Sequence, residues 1–511
     1  MIASRLNPPR YNGVTSLLAW PEATKRRFEM KLTRNFLVIA AFALALCNPA
    51  AAQLSGGAEV APRGNVRISS GGLQFSSADQ FNGSVAVGQA SSTPLELSLQ
   101  DAIDRSLKAN LGLLVRGTLT SAARADRLRA LSALLPNLNV GIAETEAQID
   151  LAVYGFRASG FPTVVGPFNY TDVRASASSY VFDWPSLKNL KAAAESARAA
   201  DLSLEDGRDL VVQSVASGYF AILADTGRVD STRTQAQTAE TLYNIAKDRH
   251  QAGISAAIDE LRAQVELKSQ QQRLVSAENV LARDKLALGR VIGLPSGQAF
   301  HLTDEAPYVP LENLNTDDLL RKAYELRGDY RSAEAQVRSA EIGRQAADGE
   351  RYPTAYVTAN YGVVGPTLNN SHGTFSVTGS VNVNLFDGGR IRADQQSAGA
   401  EIQRRRNELD DLRGKIDFEV RTALLQLSTA ADQVALARSN VDLANQTLNQ
   451  ARDRFGAGVA DTIEVVQAQE ALAGASQDAI NSLYAHNLAK ASLARAVGGT
   501  EASLRQFLGG R

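Results

Sequence analysis

Residues 246–264, AKDRHQAGISAAIDELRAQ, return as residues 451–469, ARDRFGAGVADTIEVVQAQ, with Gly253 matched to Gly458 at an offset of 458 − 253 = 205. The match continues upstream. SYVFDWPSLKNLKAA (179–193) faces NLFDGGRIRADQQ (384–396), pairing Asp183 with Asp387, and LLPNLNVGI (134–142) answers RYPTAYVTA (351–359). A duplication of this length restricts the fold more than any single motif, because one architecture must serve both halves. Each half is predicted to run helix, proline, strand, loop, strand, Asp-containing turn, long helix, glycine tip and returning helix.

The strand pairs carry an unusual polar face. Between 374 and 385, Phe375, Val377, Val381, Val383 and Leu385 alternate with Thr374, Ser376, Thr378, Ser380, Asn382 and Asn384. Successive strand side chains point to opposite faces, so one face is apolar and the other small and uncharged. Lipid outside and a watery lumen inside suit that pattern. Phe375 to Leu385 is 11 residues, matching the roughly 9–11 that a tilted strand needs to cross a bilayer. Ala355, Val357, Ala359, Tyr361 and Val363 alternate in the same way with Thr354, Tyr356, Thr358 and Asn360. The first half repeats the plan with Leu138, Val140 and Ile142, then Val173, Ala175, Ala177 and Val181, the last set opposite Asp172, Arg174, Ser176 and Ser178. Its loop is predicted to be long and aromatic, carrying Tyr154, Phe156, Phe161, Phe168 and Tyr170. Four strands fall short of the roughly eight that close a barrel, and open edges are not tolerated in lipid, so the barrel must be shared between chains.

From Arg390 the period becomes helical. Val420, Leu427, Val434, Val441, Leu448 and Phe455 form one series seven apart, and Ile416, Ala423, Ala430, Ala437, Ala444 and Ala451 form another. Spacings of four and three between the two series are those of a coiled-coil seam, with alanine allowing close backbone approach. The returning helix answers with Val465, Ala468, Leu472, Ala475 and Ala489, and the first half with Val215, Gly218, Ile222, Val229, Ala239 and Ala246. Arg390 to Phe455 is 66 residues, about 100 Å of helix at ~1.5 Å per residue.

Near the N-terminus, Met30, Lys31 and Arg34 precede an apolar run at 36–46 and then Ala50-Ala51-Ala52, the plan of a secretory signal cut between Ala52 and Gln53. The run is too short to span a membrane, and no stretch of 18 apolar residues suggests a transmembrane helix. Residues 1–29 fit no targeting pattern and read as an extension from a mis-assigned start. Cys47, the only cysteine, is expected to leave with the signal, since Leu46 before it is too large for a lipoprotein site. A net charge of −1 gives no reason to expect a nucleic-acid partner.

The duplicated plan, the LFDGGR junction at 385–390 and the two tips resemble the TolC-like outer-membrane efflux proteins, the outer-membrane factors, over about residues 94–499. The resemblance implies a mixed fold. A transmembrane β-barrel, four strands per chain shared in a homotrimer, would continue into a long α-helical coiled-coil barrel reaching through the periplasm. It implies strand-to-helix junctions at Phe182, Asp183, Phe386, Asp387, Gly388 and Gly389, although Trp184-Pro185 replaces the glycine pair in the first half. It also implies docking of a periplasmic adaptor protein at the helical tips, where Arg249, Gly253, Arg454 and Gly458 stand, and coupling to an inner-membrane pump of RND or ABC-exporter type. Two acidic positions of the family's periplasmic aperture map onto Glu464 and Gln467, so one charge is lost; Asp259 is the first-half equivalent of Glu464 (464 − 205). The expected division is 1–29 extension, 30–52 signal, 53–93 flexible leader, 94–294 first repeat, 295–316 equatorial segment, 317–499 second repeat and 500–511 tail.

Glu464 has two readings, a selective charged ring at the tunnel mouth or the reciprocal partner of Asp461 in a helix-capping box. His486, whose first-half counterpart is Leu281, is expected to be a seam residue with a hydrogen-bond partner. His250, His301 and His372 fall on separate elements, so no metal site is expected, and no cofactor or catalytic set stands out. The function expected is a passive outer-membrane exit duct for small molecules. The same fold could serve a type I protein secretion system, and a secreted coiled-coil structural protein without a pore is the alternative of a different class.

Overall fold

Where apolar and polar residues alternate the chain is extended, and where the period lengthens it is helical. The computed structural model describes residues 81–508 apart from 82, 156–159, 161, 305–307, 311–313, 458 and 461. Strands β2 (Asn137–Asp150), β3 (Val164–Phe182), β5 (Thr354–Gly365) and β6 (His372–Asn382) form an antiparallel sheet in the order β2-β3-β5-β6. The register separates the two faces as the alternation requires. One transverse row is Leu138–Ala177–Ala359–Val377 and another is Val140–Ala175–Tyr361–Phe375; between them lies Asn139–Ser176–Asn360–Ser376. The apolar face is uncovered, with Val140 and Phe375 each 77% exposed. Neither β2 nor β6 has a second strand beside it among the described residues.

Two strand boundaries differ from expectation. β6 is 11 residues long but ends at Asn382, so Val383 and Leu385 lie beyond it. The cause is its partner: Asn382 pairs with Thr354, the first residue of β5. Before that stands Pro353, which has no N–H to extend the ladder. β3 begins at Val164, so Phe168 and Tyr170 belong to a strand rather than to the loop. Tyr154 ends a short 3₁₀ turn, and Phe156 and Phe161 lie outside the described residues.

Helices α3 (Trp184–Gln251) and α7 (Arg390–Gly456) are 68 and 67 residues long. Near the sheet α3 packs on α2 (Leu111–Ser132) and on α6 (Gly328–Gly349); farther down α3 meets α4 (Ala257–Val291) and α7 meets α8 (Thr462–Val497). Both heptad series of α7 are buried except Val441 and Ala444, which are half-buried. Alanine at every second turn of one series, after Ile416, is what lets helices of this length lie close along their contact.

A belt surrounds the middle of the helices. β1 (Leu95–Leu97) pairs in parallel with β4 (Phe300–Leu302), and α1 (Leu99–Ala109), α5 (Thr316–Leu326) and α9 (Thr500–Phe507) complete it. The residues expected as a tail are thus partly helical, with Leu504 and Phe507 buried in the main core. The expected leader lies largely outside the described residues. Its end runs along the belt, Val85 N–H donating to the Ala109 carbonyl (2.9 Å) and Val87 N–H to that of Gly293 (3.1 Å). Asp304 Oδ2 accepts from Leu99 N–H (2.8 Å) and from the Tyr219 hydroxyl (2.9 Å), tying the belt to α3.

His486 of α8 is fully buried against this belt, but without the hydrogen bond expected for it: among the described residues neither ring nitrogen has a partner. Its ring lies 5.0 Å from that of Tyr308. Lys490, one turn on, donates to the Val309 carbonyl at 2.5 Å, and the Arg438 guanidinium of α7 sits 4.4 Å from the Tyr308 ring. Burial, with Lys490 and Arg438 nearby, pushes the His486 imidazole down to about 4. A depressed histidine stabilises the fold fully above its ordinary value of about 6.5 and loses that contribution as pH falls toward 4. The loss expected is on the order of 3 kcal/mol. Thermal melts of the detergent-solubilised protein from pH 7 to pH 4 should show it, and His486→Leu, the residue at 281, should flatten the dependence.

Candidate functional site

At the lower end of α3 the chain reverses through Gly253, whose φ is +74°. Gly253 N–H donates to the His250 carbonyl (3.0 Å) and Ile254 N–H to that of Arg249 (2.8 Å), the paired bonds of a Schellman helix end. Nothing lies within 4 Å of an added Cβ, so glycine is needed here for conformation and not for space. The second tip repeats the outer bond, from Val459 N–H to the Arg454 carbonyl (3.0 Å); Gly458 itself lies outside the described residues. Ile254 and Val459, the residues after the two glycines, are exposed at matched positions.

The two arginines expected as docking residues are placed differently. Arg249 reaches across to the other hairpin and donates to the Phe455 and Gly456 carbonyls (3.1 and 3.5 Å) at the end of α7. Its guanidinium lies 4.3 Å from the Phe455 ring. A cation there meets the negative end of the α7 dipole, so Arg249 joins the tips. Arg454 stays at the surface and pairs with Glu464 (3.1 Å). Beneath them Leu448, Ala451, Phe455, Val465 and Ala468 form a small core with Leu242 of α3. The tips are therefore held together by both packing and charge.

Glu464 stands in the first turn of α8 and Asp259 in the first turn of α4. Asp259 has Arg262 beside it at 3.8 Å, and Gln467 is exposed one turn beyond Glu464. The geometry brings each acid to an arginine of its own hairpin; Asp461, the residue of the capping reading, lies outside the described residues.

The two strand-to-helix junctions solve the same problem differently. Asp183 caps α3 through Ser186 N–H (3.4 Å), and Asp387 caps α7 through Gly389 N–H (3.0 Å) and Ile391 N–H (2.7 Å). Trp184 packs on α6 where Gly349 leaves room: a Cβ there would lie 2.1 Å from the indole. Gly388 and Gly389 instead take φ of +66° and +92° in open space. Leu385 and Phe386 just above them are 94% and 90% exposed, and Phe182 faces outward in the first junction.

A charged hub in the belt gave no signal in the sequence. Arg327, 1% exposed, is the elbow between α5 and α6, with φ −64° and ψ 123°. Asn110 makes the corresponding elbow between α1 and α2, at −64° and 126°, and caps α2 through Gly112 N–H (2.9 Å). In the second repeat that place is taken by a guanidinium, bonded to Asp329 (2.7 Å), to Glu419 of α7 (2.6 Å) and to the Ala496 carbonyl of α8 (3.2 Å). Arg495 extends the hub to Asp206 of α3 (2.5 Å), which also holds Arg116 of α2 (3.0 Å). Burial alone would lower the Arg327 value, and its two carboxylate partners hold it up.

A duplicated chain of strand pairs set on paired helices of this length defines a class: outer-membrane export channels with a helical extension into the periplasm. The chain belongs to the outer membrane efflux protein family, whose profile matches residues 102–294 and 319–499. The toluene efflux pump outer membrane protein TtgF of Pseudomonas putida is 24% identical over 421 residues, covering 78% of this chain and 83% of the relative. The pyoverdine export outer membrane protein OpmQ of Pseudomonas aeruginosa is 23% identical over 397 residues, 76% and 82% of the two chains. Among solved structures, CusC superposes with a TM-score of 0.68 at 18% identity, covering 81% of this chain and all of that one. The CmeC channel of Campylobacter jejuni gives 0.68 at 16% identity, over 84% and 95%. The protein is an outer-membrane component of an efflux system, and the poreless secreted alternative falls away.

Proposed function

We propose that three copies of this chain close a twelve-stranded barrel and a helical tunnel, forming a passive exit duct for small organic molecules. The observation that carries this reading is the open four-stranded sheet, whose apolar face is uncovered and whose edge strands lack second partners among the described residues. The apolar face suits lipid, but the unpaired strand edges are not stable there unless neighbouring copies complete the wall. The helices add support. Phe418, Leu425, Leu436 and Leu443 of α7 are exposed at spacings of 7, 11 and 7, which keep them on one helix face awaiting cover.

The energy for transport comes from an inner-membrane pump of RND or ABC type reached through a periplasmic adaptor. The matched apolar tips, Ile254 and Val459, with exposed Arg454 beside them, offer the adaptor its surface. Relatives are named for toluene, pyoverdine and cation efflux. No Met or Cys follows Cys47, so no thioether or thiolate is present for soft cations, which favours an organic cargo.

Asp259 and Glu464, three of each in a trimer, would ring the periplasmic mouth and favour cations; their partners Arg262 and Arg454 are exposed side chains in weak, solvent-screened pairs. Isolated protein in planar bilayers is expected to conduct with cation preference, weakened by Glu464→Gln and further by adding Asp259→Asn. Unchanged selectivity in the double variant would leave Glu464 as no more than an Arg454 partner at the helix end.

A further inference from the structure

The polar face of the sheet is uncharged over most of its height and then carries one fixed ion pair. The rows Asn137–Ser178–Thr358–Thr378 and Asn139–Ser176–Asn360–Ser376 hold only hydroxyls and amides. The next row on that face is Gly141–Arg174–Gly362–Thr374, and the one after it is Ala143–Asp172–Val364–His372. Arg174 therefore has glycine beside it on both neighbouring strands. On β5 this is a steric matter: a Cβ at Gly362 would lie 2.5 Å from the Val173 carbonyl oxygen and 3.0 Å from Arg174 Cβ.

Over that gap the arginine lies across the sheet. Nη1 donates to Asn360 Oδ1 (2.5 Å) on β5, Nη2 to Thr374 Oγ1 (3.2 Å) on β6, and Nε to both Asp172 carboxylate oxygens (3.2 Å each). The side chain is held at both ends, so its charge has a fixed position on the wall. The Arg174 and Asp172 side chains still keep 32% and 26% of their surface open to solvent. Opposite charges so close leave almost no net field, and each hides the other from passing ions.

We propose that Arg174 and Asp172 form the charge-balancing band of the outlet, setting how the outer-membrane end of the channel treats anionic and cationic permeants. This rests on the reading of the polar face as the wall of a lumen. Three such pairs would encircle the outlet in the trimer, and wall charges act on ions passing within a Debye length, about 8 Å at physiological salt. The intact band admits both signs, which suits neutral and zwitterionic cargo. Loss of one partner unmasks the other.

The test is the reversal potential of reconstituted channels under a KCl gradient. Arg174→Gln should raise the potassium-to-chloride permeability ratio about twofold, Asp172→Asn should lower it by a similar factor, and the double variant should return close to the parent. Singles that move the ratio in the same direction, or not at all, would show that the pair is only a staple between strands. Ser376→Arg, on an uncharged row of the same face, separates the two readings. A shift toward chloride there without opposite shifts from the single variants sinks the band and keeps the lumen. No shift from Ser376→Arg sinks the lumen reading itself.

Discussion

Val377→Arg is expected to cost about 2–4 kcal/mol of folding free energy in bilayers, while Ser376→Arg one residue earlier costs far less. Val377 shares its row with Leu138, Ala177 and Ala359, midway along the exposed apolar face, and Ser376 belongs to the row of Asn139, Ser176 and Asn360. The penalty arises because a guanidinium on the lipid side must shed water or drag it into the hydrocarbon. It should shrink for Val381→Arg, whose row lies at the periplasmic end beside Ala355. Urea titration of folding into lipid vesicles would measure all three. Equal tolerance of arginine on both faces would rule out the sheet as a membrane wall.

Arg327→Ala should be the most damaging single change outside the membrane, at about 3–5 kcal/mol. The cost comes less from the bonds lost than from what they leave behind. Asp329 and Glu419 would remain as partly buried carboxylates without their shared cation, and the Ala496 carbonyl would lose its donor. Replacing the whole set by neutral residues, Arg327→Met with Asp329→Asn and Glu419→Gln, should therefore recover most of the loss. Thermal unfolding in detergent can compare the single with the triple variant. If the triple is as unstable as the single, the hub acts through packing and not through charge.

Much of this architecture is legible in the residues alone. The 205-residue repeat, the two faces of the strands, the heptad seam of α7 and the start of that helix at Arg390 all follow from side-chain spacing. Spacing is informative because backbone geometry fixes which side chains share a face, whatever the element later packs against. The glycine tip at 253 is legible for the same local reason, since a helix end in the left-handed region favours that residue.

What the sequence left open was which side chains meet. Phe375 to Leu385 alternates apart from Gly379, yet β6 stops at Asn382 because the strand beside it starts after Pro353. Arg249 and Arg454 look alike at the level of the repeat, but one secures the end of the opposite helix and the other pairs within its own hairpin. His486 occupies a seam position, and only the packing of Tyr308, Lys490 and Arg438 around it decides that it stays neutral and unbonded. Arg327 with Glu419 and Arg174 with Thr374 join residues 92 and 200 positions apart. Periodicity is a property of one element at a time. These contacts depend on how separate elements are brought together, which tertiary packing alone decides.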